Sequence, residues 1–309
     1  SKWPWAEAGG DADFYRKTAR VLFLSGRWGP LGNPANALRS FSPSEVALAD
    51  FYSGYLLTLN KRYEEALRLL SRFLGSGSPG PTPGARATAY RMTAECWRGL
   101  GDPTKELRAL KGVIAERSDL QPEDYLHLAE AQAKSPNALP IVAEESWTKG
   151  MALGPARSVE WMPMWETLGE QTFGTLGISF DTFYDSLLRQ KLVAPTQKVG
   201  PYTTWRIGMR YLKEKRYQSA LTLAGNLLRQ YPGLLPAIDL RLETLLNSND
   251  NTHSGPDTLL QRMRLVGADE ASERYLARYE VSRFTTEEQL ELVRLNPYGV
   301  GRLRTAEYL

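Results

Sequence analysis

The 309-residue chain is longer than one ordinary core, so it either divides into domains or repeats a small unit along an axis. Its 42% hydrophobic and 24% charged residues exclude a mainly disordered chain, and a net charge of +3 from 38 basic and 35 acidic residues excludes a global field that would gather nucleic acid or anionic lipid. The single cysteine, Cys96, excludes an intrachain disulfide and a cysteine-held zinc, and no apolar stretch approaches the ~20 residues of a membrane span.

Residues 1–10 read as a lead-in. The opening Ser1-Lys2-Trp3-Pro4-Trp5 has no initiator methionine and sets tryptophans beside a lysine, as sequence just outside a removed anchor does, with an arbitrary chain boundary as the plain alternative. It tilts the expected setting toward the periplasm or cell envelope over the cytoplasm, with membrane contact only through a segment outside this chain.

From residue 11 onward apolar positions recur at intervals of three and four, in segments of about 12 to 16 residues separated by Gly, Pro, Asn or Ser, which predicts an all-α array of antiparallel helix pairs. A first, degenerate pair covers Ala12 to Phe41. The next has Gly54, then Tyr63 nine residues on and Ala66 three later. The segment from Gly75 to Gly84 is too rich in Gly and Pro for helix and predicts a mobile surface loop. Beyond it come Tyr90, Ala94, Trp97 and the Gly101-Asp102 turn, with Glu106 where an alanine is expected. Tyr125, Leu128 and Ala129 open another pair, continued by Ala143, Trp147, Gly150 and Pro155. Trp165, Leu168 and Gly169 open a further one, whose second helix around Phe183 to Leu188 lacks a small residue. Residues 194–200, rich in Pro and Gly, predict a hinge between an array over 11–193 and a second array with a C-terminal cap over 201–309. In that second array Gly208, Tyr211, Tyr217 and Ala220 repeat the intervals of the Gly54 pair and close on Pro232, and degenerate pairs follow over Leu234 to Val266 and Ala271 to Pro297.

Small residues at these places let two helices approach closely, while the tyrosine opening the second helix fills the turn and the proline ends it. The pattern resembles the tetratricopeptide repeat (TPR) family, strongly in the Gly54 and Gly208 units and in eroded form elsewhere, with seven or eight pairs in all. The resemblance implies an α-solenoid wound as a right-handed superhelix and a non-enzymatic scaffold that binds a peptide or helix in its concave groove.

The chemistry-bearing residues are few. His127 lies on a predicted helix and His253 in a polar loop, without metal-ligand spacing, and Cys96 has no histidine near it in sequence. The pairs Glu64-Glu65 and Glu144-Glu145 read as acids at the start of second helices, favoured there by the helix dipole. No phosphate-binding glycine motif is present. No catalytic residue, metal or cofactor is expected. The basic cluster Arg206, Arg210, Lys213, Lys215 and Arg216 falls on several faces of one helix, which disfavours nucleic acid.

In such a solenoid the first helix of each pair lines the groove, so the spacing nominates Leu48, Phe51 and Tyr55, then Arg91, Glu95 and Arg98, then Tyr202, Trp205, Met209 and Lys213 as partner contacts. Trp161 and Trp165 are either packing or an exposed patch. The leading functional reading is a protein or peptide scaffold, in envelope assembly or secretion. A second is a carbohydrate-binding scaffold of polysaccharide export, since eight tryptophans offer rings on which sugars stack. A third is an enzyme whose site only the fold would assemble.

Overall fold

The computed structural model describes residues 10–135, 139–195, 199–248, 254–279 and 281–297. Sixteen α-helices and two short 3-10 turns, with no strand, occupy the described residues. The helices follow one another in eight pairs. They are α1 (Ala12–Leu24) with α2 (Trp28–Leu38), α3 (Pro43–Leu59) with α4 (Tyr63–Gly75), α5 (Ala85–Gly99) with α6 (Pro103–Glu116), and α7 (Pro122–Lys134) with α8 (Pro140–Leu153). The next are α9 (Ser158–Leu176) with α10 (Phe180–Arg189), α11 (Pro201–Lys213) with α12 (Tyr217–Gln230), α13 (Leu235–Asn247) with α14 (Ser254–Val266), and α15 (Glu270–Leu276) with α16 (Thr286–Leu295). This is an all-α array of consecutive helices, in which two of the three degenerate pairs read from helical period alone, α1 with α2 and α13 with α14, pack as pairs, whereas α15 and α16 each pack against α14.

One turn recurs in four pairs. Gly26, Lys61, Gly101 and Lys215 each adopt positive φ, between 58° and 74°, two residues before the second helix begins. The following amide donates back across the turn in every case, from Arg27 to Leu22, Arg62 to Leu57, Asp102 to Trp97 and Arg216 to Tyr211, at 2.8–3.0 Å. These six-to-one bonds satisfy carbonyls at the end of the first helix and fix the angle at which the chain re-enters the second. Glycine meets the left-handed requirement without a Cβ penalty, and two of the four pairs accept a lysine at a cost of about 1 kcal/mol.

Small residues then set the distance between helices. A Cβ on Gly54 would lie 2.8 Å from Leu70 Cγ and 3.4 Å from its backbone nitrogen, and Ala66 is fully buried. A Cβ on Gly208 would meet Leu240 Cδ2 at 2.5 Å, so this glycine serves contact with α13 more than with its own partner helix. Glu106, which replaces the small residue of α6, is buried and accepts a 2.7 Å bond from Arg98 Nε. The buried charge is satisfied there, and α5 and α6 still pack closely, with Gly112 of α6 against the Tyr90 ring of α5.

The chain forms two compact units, Ser1–Leu120 with Glu130–Pro136, and Gln121–Ala129 with Asn137–Leu309, so the division passes through α7. In the first, Phe51, Tyr52, Leu70 and Phe73 form a core against Phe23 of α1. In the second, one cluster centres on Met151, Trp165 and Ile238, and another on Tyr184, Ile207, Tyr211 and Leu223. The 76–84 segment is irregular and carries its own serine-bonded turns, with Ser76 Oγ donating to Phe73 O at 2.6 Å. The predicted hinge lies inside the second unit, and its residues 196–198 are outside the described ones, as are residues 1–9 and His253. No helix among the described residues is long and apolar enough to cross a membrane.

Replacing Gly54 by alanine forces the Leu70 side chain to shift, since the new Cβ would lie 2.8 Å from its Cγ. Overpacking of about 1–3 kcal/mol outweighs the gain in helix propensity of up to about 1 kcal/mol, so the urea midpoint of the G54A protein falls.

Candidate functional site

Helix α11 carries four of the nominated groove residues, and its position depends on a buried acid. Glu144 of α8 is fully buried, and its Oε1 accepts the Tyr202 amide at 2.6 Å while Oε2 accepts the Thr172 hydroxyl of α9 at 3.2 Å. Tyr202 is the second residue of α11, where an amide has no partner within the helix, so the carboxylate acts as a cap delivered from another helix. Gly200 makes this possible, because a Cβ there would fall 2.0 Å from Glu144 Oε2. Pro201 follows at the first helical position, where a missing N–H costs nothing. The sequence places Glu144 as an acid favouring the start of its own helix. It lies instead beyond the first turn of α8 and caps α11, because its side chain points into the junction of three helices.

The same junction consumes two tryptophans. Trp165 is fully buried and donates from Nε1 to Thr148 Oγ1 at 2.8 Å, and that hydroxyl donates to the Glu144 carbonyl at 2.7 Å. Trp147 Nε1 donates to the Trp161 carbonyl at 3.0 Å. Trp161 and Trp165 are therefore packing residues and not an exposed patch. Against the Trp165 ring stand Tyr202, edge-on at 5.3 Å, and Trp205 at 5.6 Å. Burial is the main cause that pushes the Glu144 carboxyl up to about 7, with the Tyr202 and Thr172 bonds pulling the other way and Glu145 adding to the rise.

Trp205, Met209 and Lys213, one turn apart along α11, face outward between two clefts. One, of about 240 Å³, is walled by Met162 of α9, by Leu235, Asp239, Leu240 and Glu243 of α13, and by Tyr275 of α15. The other, of about 320 Å³, is bounded by Glu166, Phe180, Asp181, Arg206 and Arg210. Trp205 and Met209 belong to both. Behind the first cleft Arg262, itself buried, donates to Asp239 Oδ1 at 2.7 Å and also binds Asp269 and Ser272. Burial raises the Asp239 carboxyl, against the opposing pull of Arg262.

The basic cluster does not share one helix: Arg206, Arg210 and Lys213 lie on α11, Lys215 and Arg216 in the turn before α12, and its arginines are matched. Arg206 binds Glu170 and lies 4.1 Å over Phe180, Arg210 reaches Glu214 at 3.2 Å, and Arg216 lies 4.2 Å over Tyr211. Lys213 is exposed.

The nominated residues divide unequally. Phe51 and Leu48 are buried in the first unit's core and leave the groove set: Phe51 is fully covered by Phe23, Tyr52 and Phe73. Tyr55 is half-buried, with its ring 5.0 Å from both Phe23 and Trp28. Arg98 is bound to Glu106, Arg91 lies 3.6 Å from Asp119, and Glu95 is exposed. Tyr202 is buried except for an edge on the 320 Å³ cleft, so of the α11 set Trp205, Met209 and Lys213 keep open faces. Asp239, Glu243 and Tyr275 have no motif; helical period marks their elements, and only the packing of α13 and α15 beside α11 assembles them.

Cys96 is buried, its thiol 3.4 Å from Thr58 Oγ1 and pushed up by burial. The described residues contain no group of three or more His, Cys, Asp or Glu arranged to hold a metal.

No protein family matches the sequence, and no curated protein sequence matches it. Two similar solved structures are the C-terminal part of a TPR repeat-containing protein from Cytophaga hutchinsonii and the TPR domain of P58(IPK). The first is 13% identical, with a TM-score of 0.33 over 82% of this chain and 98% of that one. The second is 12% identical, with a TM-score of 0.30 over 94% of this chain and 91% of that one.

The raised Glu144 carboxyl makes stability depend on pH. Because the folded chain holds this proton up to about pH 7 and the unfolded chain releases it near 4.5, the stabilisation is complete below about pH 4.5. It falls about tenfold in the folding constant per pH unit between those values and is lost above about pH 7. In E144Q the acid is gone, and urea unfolding at a series of pH values shows that slope removed relative to the parent protein.

Proposed function

We propose that this chain is a binding scaffold whose second unit holds a peptide or helix of a partner protein along α11, with Trp205 and Met209 as anchors. The observation that carries the reading is the pair of clefts meeting at these two side chains. A half-buried tryptophan and a flexible thioether, backed by a rigid aromatic layer and flanked by concave surface, have the composition of an interface hot spot.

The helix-pair architecture supports a scaffold role, since each pair adds surface without building a closed reaction chamber. Two further features favour the second unit over the first. Tyr55, Arg91 and Arg98 already have internal partners, so a ligand would have to displace contacts that hold the pairs together. The anchors on α11, by contrast, stand on a helix whose start is fixed by the buried cap, so little order is lost on binding.

Introducing a photo-crosslinking amino acid at Met209 in the native cell captures the partner of this groove. Adding Trp205→Ala weakens the interaction by about thirtyfold, the loss of one hot-spot aromatic, whereas Tyr55→Ala leaves recovery unchanged. Equal recovery with Trp205→Ala overturns the reading, and recovery of a polysaccharide in place of a protein transfers the groove to sugar binding.

A further inference from the structure

We propose that the cleft between α9, α11 and α13 is a socket for a cationic side chain, an arginine or lysine of the partner, gripped between aromatic and thioether walls and two carboxylates. The inference rests on the groove reading and adds to it the chemistry of the residue that enters the cleft.

Size comes first. About 240 Å³ lies below the ~300–1,000 Å³ of small-molecule sites and suits one long side chain. The walls are largely apolar, with Met162, Met209, Leu235 and Leu240 placed to cover an aliphatic stem, and they include Trp205 and Tyr275, the latter already carrying the Arg262 guanidinium 5.7 Å from its ring centre. Tryptophan offers the most favourable ring face for a cation, and arginine and lysine are the side chains that combine an apolar stem with a charged head.

Charge is one-sided. Among the described residues the charged ones that line the cleft are Asp239 and Glu243, one turn apart on α13, with no lysine or arginine among them. Each acid has a partner for one oxygen only. Asp239 uses Oδ1 for Arg262, and Glu243 uses Oε2 for Arg278, at 2.9 Å, and for Asn247. Asp239 Oδ2 and Glu243 Oε1 accept no hydrogen bond among the described residues. Arg262 is sealed behind the wall and shared between Asp239 and Asp269, so it does not reach the open side of the cleft.

A third polar group points the same way. Ser158 lines the cleft, is buried, and its hydroxyl has no partner among the described residues. Such a group is costly to leave unmade, and a hydroxyl oxygen accepts a hydrogen bond from a guanidinium or ammonium. A partner carboxylate in the same place would meet two acids without a cation to answer it.

The test uses the full chain labelled at its methionine methyl groups, with Met162 and Met209 as reporters of the cleft and the other methionines as a check on folding. The probes are the blocked tripeptides Ac-Leu-Arg-Leu-NH2, Ac-Leu-Gln-Leu-NH2 and Ac-Leu-Glu-Leu-NH2, titrated by NMR. The arginine peptide is expected to shift both reporters with about tenfold higher affinity than the glutamine peptide, and the glutamate peptide to bind weakest. In E243Q, which alters a solvent-exposed pair and leaves the fold intact, that preference shrinks to about twofold or less. Equal affinity of the arginine and glutamine peptides, or a preference that survives E243Q, overturns the cationic socket while leaving the groove reading standing. Absence of any shift at Met162 and Met209 with all three peptides also overturns the socket, and the crosslinking at Met209 then decides the groove independently.

Discussion

The bond from the Tyr202 amide to the Glu144 carboxylate is the contact on which the proposed binding surface depends. A helix in a repeat array is usually placed by the sum of many apolar contacts, which tolerate small slides. Here the first turn of α11 is tied to one buried oxygen, and a missing Cβ at Gly200 is what lets that oxygen in. Since α11 rises in fixed steps from its cap, the same bond sets where Trp205, Met209 and Lys213 stand relative to α9 and α13. A buried carboxylate with no cation beside it among the described residues is a costly choice, offset by two hydrogen bonds. It buys position more than stability.

Around that tie the second unit is built from groups that satisfy one another in sequence. Trp165 donates to Thr148, Thr148 donates to the carbonyl of Glu144, and Glu144 receives Tyr202 and Thr172. A chain of this kind in a low-dielectric interior specifies one arrangement, because any slip leaves a buried donor or acceptor unpaired. The rings of Trp165, Tyr202 and Trp205 stack outward from it, so the surface tryptophan rests on a layer that is itself hydrogen-bonded in place.

Phe51 and Trp205 stand three residues before the key glycine of their respective units, and the same spacing argument nominates both for the groove. Phe51 is fully covered because Phe23 of α1 lies against it. Trp205 has Trp165 and Tyr202 on one side and open cleft on the other. Period identifies the face of a helix but not whether a neighbour brings a large residue to cover it. Likewise Glu106 departs from the small residue of the pattern, and only its contact with Arg98 shows how the departure is accommodated.

What the sequence determined by itself is local: helix periods, the Gly, Pro, Asn and Ser breaks between helices, and the Gly-Tyr-Ala intervals that make pairs. All of these act within about one pair's length of chain, so their signatures sit close together and can be read. The tertiary structure decided the rest. It brought Glu144 to an amide 58 residues away, buried Phe51 while leaving Trp205 open, and set Asp239, Glu243 and Tyr275 around one cleft. Burial and pairing of that kind are properties of neighbours distant in sequence, and no spacing along the chain records them.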